Sequence, residues 1–173
     1  MLIDEFLPDY DFVETHDVSI RAGAEQIYRA AHEVDFAESF VIRWLFRLRG
    51  LSTENATLRS LQKSRFEILG EIPGREILLG LVGRFWTPLG DLKKIDADSF
   101  KKFETPGYAK AVWNFSILPE QNETRLMTET RIKCTDAESK KSFGFYWKFI
   151  GPFSGLIRME MLKLIKRKAE AAA

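Results

Sequence analysis

Apolar side chains recur at helical spacing through the last third of the chain. The stripe begins with four residues at positions i, i+3, i+4 and i+7, namely Phe143, Tyr146, Trp147 and Ile150. It continues in steps of three or four residues through Phe153, Ile157, Met161 and Leu164. Side chains at this spacing share one face of an α-helix. The pattern therefore predicts a long amphipathic helix with one buried face.

The residues around this stripe predict how the helix begins, ends and bends. Thr135 to Glu138 has the Thr-x-x-Glu spacing of a capping box, in which two side chains accept hydrogen bonds from unpaired backbone N–H groups. The cations between Lys163 and Lys168 suit the carbonyl end of a helix. Pro152 has no N–H to donate, so we expect a kink or a break near residue 151.

The first third of the chain predicts one strand and two short helices. Residues 12–21 alternate, and the side to be buried consists of Phe12, Glu14, His16, Val18 and Ile20. Residues 24–34 and 36–49 then show helical spacing, and Gly50 is a candidate C-cap of the second helix. This second helix is aromatic and basic, so it is either a membrane-surface element or a helix over a cavity mouth. We prefer the second interpretation.

The middle of the chain predicts strands that pair as hairpins. Residues 66–72 and 76–86 flank the turn dipeptide Pro73-Gly74, and residues 109–118 and 124–134 flank a second turn at 119–122. Residues 91–105 fit either a strand with a turn or a short helix after Asp98. Because strands and helices are segregated, we expect an α+β fold with a curved antiparallel sheet of about six to seven strands against the C-terminal helix. One helix does not cover the whole of such a sheet, so a cavity between them is expected.

Composition and charge set broad limits on location and partners. The chain has 173 residues, of which 45% are hydrophobic, and a net charge of +1, which gives no overall attraction to nucleic acid. An acidic start without a basic and apolar leader, a single cysteine and the lack of a long apolar run predict a soluble, cytoplasmic protein without stable membrane insertion. The sequence does not specify an oligomeric state.

Several segments resemble one known superfamily. They are Ser19-Ile20-Arg21-Ala22 at the exit of the first strand, Trp113-Asn114-Phe115, and the helix from Phe143 to Trp147 that continues into Gly151 to Arg158. Together with the order of elements, they resemble the START/SRPBCC superfamily, which has the helix-grip fold and includes the birch-pollen-allergen and polyketide cyclase/dehydrase types. The resemblance covers nearly the whole chain and implies one domain over residues 1–173. It implies a hydrophobic ligand cavity roofed by the C-terminal helix, but no particular activity, since members include carriers, cyclases and protein binders.

The common signatures of catalysis and metal binding are missing from the sequence. There is no phosphate-binding loop, no G-x-S-x-G elbow, and no C-x-x-C or H-E-x-x-H pattern. His16 and His32 belong to different predicted elements, so we expect no shared metal and no cofactor. Cys134 faces inward with Ile132, and we expect an inert buried thiol.

Polar residues on buried strand faces are the remaining candidates for chemistry. Glu14 and His16 share the inward face of the first strand, where they are weak candidates for an acid and a base or for contacts to a ligand's polar end. The alternative is that this end of the strand is splayed into solvent. Thr128 and Thr130 would offer neutral hydroxyl groups to the cavity. Glu129 and Arg131 fall on the opposite face, where we expect a solvated pair, unless a bulge reverses the assignment.

The predicted ligand-binding residues combine this polar set with an aromatic wall. The face of Arg84 and Trp86 cannot be assigned, because their strand is apolar on both sides, whereas Trp113 and Phe115 oppose a polar face. The full predicted set is His16, Arg84, Trp86, Trp113, Phe115, Thr128, Thr130, Phe143, Tyr146, Trp147 and Ile150.

Three functions fit these expectations. The leading hypothesis is binding or carriage of a hydrophobic small molecule such as a lipid, an isoprenoid or a polyketide. The second is an enzyme of cyclase or dehydratase type that uses Glu14 and His16. The third is a protein-interaction module with a collapsed cavity, whose aromatic second helix docks a partner.

Overall fold

A computed structural model describes residues 1–48, 56–58, 66–87 and 90–172. Five strands form one antiparallel sheet in the order β1-β5-β4-β3-β2. The strands are β1 (Phe12–Ile20), β2 (Glu67–Ile72), β3 (Glu76–Gly83), β4 (Ala109–Pro119) and β5 (Thr124–Cys134). The α-helices are α1 (Leu2–Phe6), α2 (Ala24–Glu33), α3 (Phe40–Leu48), α4 (Ala97–Lys102) and α5 (Ala137–Ala171), and a 3-10 turn covers Phe36–Glu38. The predicted C-cap Gly50 lies outside the described residues.

The expected count of six to seven strands was too high, because the described residues contain five. Residues 91–105, the ambiguous segment, form no strand. Instead, Asp96 begins α4 by accepting a hydrogen bond from the backbone N–H of Ser99 at 2.8 Å, and the Ser99 hydroxyl accepts the N–H of Asp96 in return. This reciprocal cap favours a helix over an extended segment. The third strand also ends at Gly83, three residues before the predicted end at Trp86.

Both faces of the sheet are covered by helices. The inner face packs against α2, α3 and α5, and its core includes Ile77, Leu79, Trp113, Phe115 and Leu126. The outer face packs against α1 and α4, and its core includes Ile3, Leu78, Val82, Phe100 and Val112. Every residue of β3 is buried as a result. This two-sided burial explains why the sequence of β3 is apolar on both faces.

A buried carboxylate attaches α1 to the outer face. Glu76 is 3% exposed and accepts hydrogen bonds from the backbone N–H of Leu2 at 2.7 Å and of Ile3 at 3.4 Å. Its other partner is the side-chain amide of Asn114, which donates at 2.8 Å. The carboxylate thus satisfies N–H groups of the first helical turn, which have no partner within the helix.

Because of the same helix, Glu129 and Arg131 differ from the solvated pair that the sequence predicts. These residues do lie on the outer face, but Arg131 is 8% exposed rather than solvated. Its guanidinium donates to Glu129 at 2.6 Å, to Asp4 at 2.8 Å and to the carbonyl of Leu7 at 3.1 Å. Arg131 is buried because α1 covers it.

The C-terminal helix α5 begins one residue later than the predicted capping box. Asp136 is the N-cap and accepts from the N–H of Ser139 at 2.8 Å, so Glu138 is not the partner of Thr135. Hydrogen bonds from the backbone of Ser139 and Gly107 lower the pKa of Asp136 to about 2. The helix is 35 residues long and Pro152 lies inside it, so the structure shows no break at this proline. Within the predicted stripe, Phe153 is exposed instead of buried.

None of the described helices combines the length and the apolar character needed to cross a membrane.

We predict that Glu76→Ala lowers the free energy of unfolding by about 2–3 kcal/mol, because three donors lose a buried charged acceptor. Chemical denaturation followed by circular dichroism measures this change. Glu120→Ala is the matched control, since its pair with Arg125 at 2.9 Å lies at the surface and is worth less than about 1 kcal/mol. Equal effects of the two substitutions would contradict the role of Glu76.

Candidate ligand-binding cleft

A cleft of about 570 Å³ lies between the first half of α5 and the inner face of the sheet. The sheet contributes Leu81 from β3, Ala111 from β4, and Thr130 and Ile132 from β5. The loop after β3 closes one side with Phe85, Trp86, Thr87, Gly90 and Leu92, and Phe66 adds to the wall. The helix contributes Phe143, Tyr146, Trp147, Ile150, Ser154 and Arg158. The lining is predominantly apolar, which is typical of small-molecule sites.

Phe143 organises the aromatic wall of the cleft. Its side chain is fully buried and its ring centroid lies 5.5 Å from that of Trp147, in a stacked arrangement. It also meets Phe85 at 5.5 Å, Trp86 at 5.9 Å and Tyr146 at 5.8 Å. Contacts between aromatic rings at these distances are favourable beyond the burial of apolar area. The helix and the loop after β3 therefore share one aromatic cluster.

The structure brings about half of the predicted ligand-binding residues to this cleft. Those that line it are Trp86, Thr130, Phe143, Tyr146, Trp147 and Ile150. Those that do not are His16, Arg84, Trp113, Phe115 and Thr128. Arg158 of α5, which lines the cleft, lies against one residue of the second group, Trp113.

Arg158 covers the tryptophan that was expected to form the wall. Its guanidinium carbon lies 3.6 Å from the ring centroid of Trp113, in a cation–π contact. The indole N–H of Trp113 donates to the Thr128 hydroxyl at 2.8 Å. Trp113 and Phe115 are 3% and 0% exposed and belong to the core behind Arg158. A polar side chain thus forms the deep end of the cleft.

Arg84 and Trp86, which both follow β3, take different positions. Trp86 enters the aromatic cluster, whereas Arg84 is exposed and lies over the ring of Tyr108, with 4.6 Å from its guanidinium carbon to the ring centroid. They separate because the chain turns at this point, where the N–H of Thr87 donates to the carbonyl of Arg84 at 2.8 Å.

The polar end of the cleft carries an unpaired hydroxyl group. Thr130 Oγ1 is buried and has no hydrogen-bond partner among the described residues. Ser154 and Arg158 line the same end of the cleft from α5. A buried polar group without a partner is unfavourable unless something else supplies one. This end of the cleft is therefore suited to a ligand's polar group.

Glu14 and His16 lie next to this polar end, beneath α5. Glu14 pairs with Thr130 across the strands, and His16 pairs with Thr128. Glu14 Oε1 and His16 Nε2 are 3.2 Å apart, and the two side chains are 18% and 24% exposed. The pair is thus enclosed rather than splayed into bulk solvent. Glu14 Oε2 has no hydrogen-bond partner among the described residues.

Gly155 permits this arrangement. A Cβ atom at position 155 would lie 2.5 Å from Glu14 Oε1 and 3.1 Å from His16 Nε2. Glycine therefore lets α5 approach β1 closely with two polar side chains between them.

Sequence reasoning missed Ser154 and Arg158 as cleft residues. Both follow Ile150 at steps of four, so helical spacing places them on the same face. The stripe consists of apolar side chains alone, so it does not include these two polar residues. The second helix also differs from our preferred interpretation, because Phe40 and Trp44 are exposed and neither lines the cleft. The side chain of Phe46 lies outside the described residues.

The remaining chemical candidates lie away from the cleft. Burial raises the pKa of the Cys134 thiol to about 12, so the thiolate nucleophile is not populated at neutral pH. His32 lies 3.2 Å from Glu71. Among the described residues, no three His, Cys, Asp or Glu side chains are grouped so that they could hold a metal ion.

No protein-family model and no curated protein matches this sequence. Solved structures with similar architecture include a conserved protein from Geobacillus kaustophilus, with 9% identity, coverage of 93% of this chain and 97% of that chain, and a TM-score of 0.48. The di-domain ARO/CYC protein StfQ from the steffimycin biosynthetic pathway has 12% identity, coverage of 98% and 55%, and a TM-score of 0.43. A point mutant of Thalictrum norcoclaurine synthase has 11% identity, coverage of 93% and 95%, and a TM-score of 0.37.

At these identities, and with TM-scores below 0.5, the likenesses carry no argument about this chain. The chain's own architecture is the helix-grip fold that the START/SRPBCC resemblance implied: an antiparallel sheet against a long C-terminal helix, with short helices after the first strand.

We predict that Gly155→Ala destabilises the protein relative to Gly151→Ala by about 1 kcal/mol, the low end of the cost of overpacking, because the new Cβ displaces the ends of the Glu14 and His16 side chains. Both changes add the same methyl group to α5, and alanine favours a helix by about 1 kcal/mol over glycine. At position 151 the new Cβ would lie 3.4 Å from the Trp147 ring, an ordinary contact. Thermal unfolding of the two variants measures the difference.

A double-mutant cycle tests whether contact with Glu14 causes the penalty of Gly155→Ala. Because the new Cβ meets Glu14, the penalty of Gly155→Ala should shrink in a Glu14→Ala background. An unchanged penalty would show that the close approach of Glu14 to position 155 is not what the glycine serves.

Proposed function

We propose that this protein binds or carries a hydrophobic small molecule in the cleft beneath α5. The observation that carries the proposal is the cleft itself, with an apolar aromatic wall and an unpaired hydroxyl at its deep end. Its volume of about 570 Å³ lies within the roughly 300–1,000 Å³ of small-molecule sites. A collapsed cavity, which the interaction-module hypothesis requires, does not fit this observation.

The geometry favours a ligand with one apolar body and one polar group. The body would contact the cluster around Phe143 and Trp147, and the polar group would face Thr130, Ser154 and Arg158. Arg158 supplies N–H donors, whereas the hydroxyl groups donate or accept. A lipid, an isoprenoid or a polyketide with a carboxyl, carbonyl or hydroxyl group meets this description.

A second candidate function is an enzyme of cyclase or dehydratase type. The enclosed Glu14–His16 pair favours it, because a carboxylate and an imidazole 3.2 Å apart are able to exchange protons with a substrate or with each other. Neither residue lines the cleft, however, and Thr130 lies between the cleft and Glu14. Binding is therefore the function that the geometry supports better.

We predict that Trp147→Ala weakens binding of the fluorescent probe anilinonaphthalene sulfonate by about tenfold or more. A buried aromatic side chain contributes about 1.5–3 kcal/mol of apolar contact, and 1.4 kcal/mol corresponds to a tenfold change in Kd. Trp44→Ala is the matched control, since Trp44 is 51% exposed and lies outside the cleft. Fluorescence titration measures both dissociation constants.

Three outcomes of this titration are informative. Loss of affinity in Trp147→Ala alone supports the cleft as the binding site. Loss of affinity in Trp44→Ala alone would show that the probe binds at the protein surface and would contradict the proposal. A lack of saturable binding would contradict it as well. Native mass spectrometry of protein from its own host, followed by solvent extraction, would then identify the natural ligand.

We predict that His16→Ala separates the two functions once that ligand is known. For an enzyme, loss of a general acid or base lowers turnover by about two to four orders of magnitude with nearly unchanged affinity. For a carrier, the ligand is recovered unchanged from wild-type protein, and the substitution alters affinity by no more than about 1–2 kcal/mol. We expect the carrier result. Conversion of the ligand by wild-type protein, lost in His16→Ala, would establish the enzyme.

A further inference from the structure

Six large apolar side chains on α3 and α5 point away from the core. They are 44–70% exposed, and we call them the aromatic patch: Phe40, Trp44, Phe145, Phe149, Phe153 and Leu156. Single exposed apolar residues are common on proteins, but a contiguous group usually marks an interaction surface. The cleft proposal does not account for this group, because none of its members lines the cleft.

The members of the patch form one continuous surface. Phe145, Phe149 and Phe153 are spaced four residues apart and Leu156 follows three later, so they share one face of α5. The rings of Phe145 and Phe149 are in contact, with centroids 5.2 Å apart. One turn beyond Leu156, Glu160 accepts a hydrogen bond at 3.1 Å from Ser39, the residue before Phe40. The exposed face of α3 thus begins where the stripe on α5 ends.

The two sequence segments that carry the patch contain basic residues but no acidic ones. The sequence has no Asp or Glu from position 139 to 159 or from position 40 to 48. Lys141 and Lys148 on α5 and Arg43 and Arg47 on α3 are exposed. A partner that covers the aromatic side chains would therefore meet positive charge at their edge, and a negatively charged surface is complementary to it.

We propose that the aromatic patch docks this protein on a membrane surface that contains anionic lipids. Helices with exposed Phe and Trp beside Lys and Arg are suited to the headgroup boundary, where apolar rings enter and cations remain at the phosphates. A second copy of the chain fits less well, because a two-fold interface is self-complementary and would set the basic residues of one copy against those of the other.

The position of the cleft favours a membrane over an acidic protein. Tyr146, which lines the cleft, lies three residues from Phe149, which belongs to the patch, so the patch reaches the edge of the cleft. Docking through the patch would bring this edge to the lipid, where a hydrophobic ligand is found. This step rests on the proposed function, whereas the docking itself rests on the exposed side chains and their charge.

Co-sedimentation with lipid vesicles tests the proposal. We expect wild-type protein to bind vesicles of phosphatidylcholine with added phosphatidylserine, to bind phosphatidylcholine vesicles more weakly, and to be released by high salt. Phe145→Ser with Phe149→Ser should weaken binding by about tenfold or more, because two apolar insertions are lost. Val13→Ser with Leu118→Ser is the matched control, since both residues are exposed on the sheet.

The remaining outcomes either overturn the proposal or separate it from the cleft. Failure of wild-type protein to bind anionic vesicles, or equal binding by the patch and control variants, would overturn it. A wild-type dimer that becomes a monomer in the patch variant, measured by light scattering, would assign the patch to a second copy instead. Vesicle binding without binding of anilinonaphthalene sulfonate in the cleft would refute the proposed function but leave the docking surface in place.

Discussion

The cleft lies beneath a helix, α5, that is attached to the rest of the molecule at both of its ends. Its second half contributes Ile157, Met161, Leu162 and Ile165 to the main core, all nearly or fully buried. Its first turn is held by Asp136, which accepts from the backbone of Ser139 and Gly107. A continuous 35-residue helix spans roughly 50 Å at ~1.5 Å per residue. The cleft residues from Phe143 to Ser154 lie between these two attachments, and Phe143 is fully buried among them.

Much of the fold follows from local sequence patterns. The alternation in β1, the two hairpins and the apolar stripe of α5 were predicted close to their observed bounds, because each depends on periodicity and turn residues within one segment. The error at Arg131 involves contacts between distant segments. Arg131 is buried only because α1, more than 120 positions away in the sequence, covers it. A five-residue helix carries too little periodicity to reveal which surface it covers.

The candidate cleft was predictable to a lesser extent than the fold. The helix residues of the cleft follow from spacing, but the boundary of the cleft depends on one side chain. Arg158 stacks on Trp113, which belongs to the core, although the sequence pattern is also compatible with a cavity wall. Whether a space between helix and sheet is filled or open depends on how a few long side chains are arranged, and spacing does not encode that arrangement.

The buried polar groups are hydrogen-bonded on the outer face of the sheet, whereas some of them are unpaired on the inner face. On the outer face, Asn114 donates to Glu76 and to Ser116 and accepts from the N–H of Glu129, so the network is fully connected and fixes α1 in place. On the inner face, Thr130 Oγ1 and Glu14 Oε2 lack partners among the residues that the structure describes. Connected networks add stability and specificity, whereas unpaired buried groups reduce stability. Because Thr130 lines the cleft, a molecule bound there would satisfy its hydroxyl group, so the balance of polar contacts in the fold itself separates the structural face of the sheet from the face for which we propose binding.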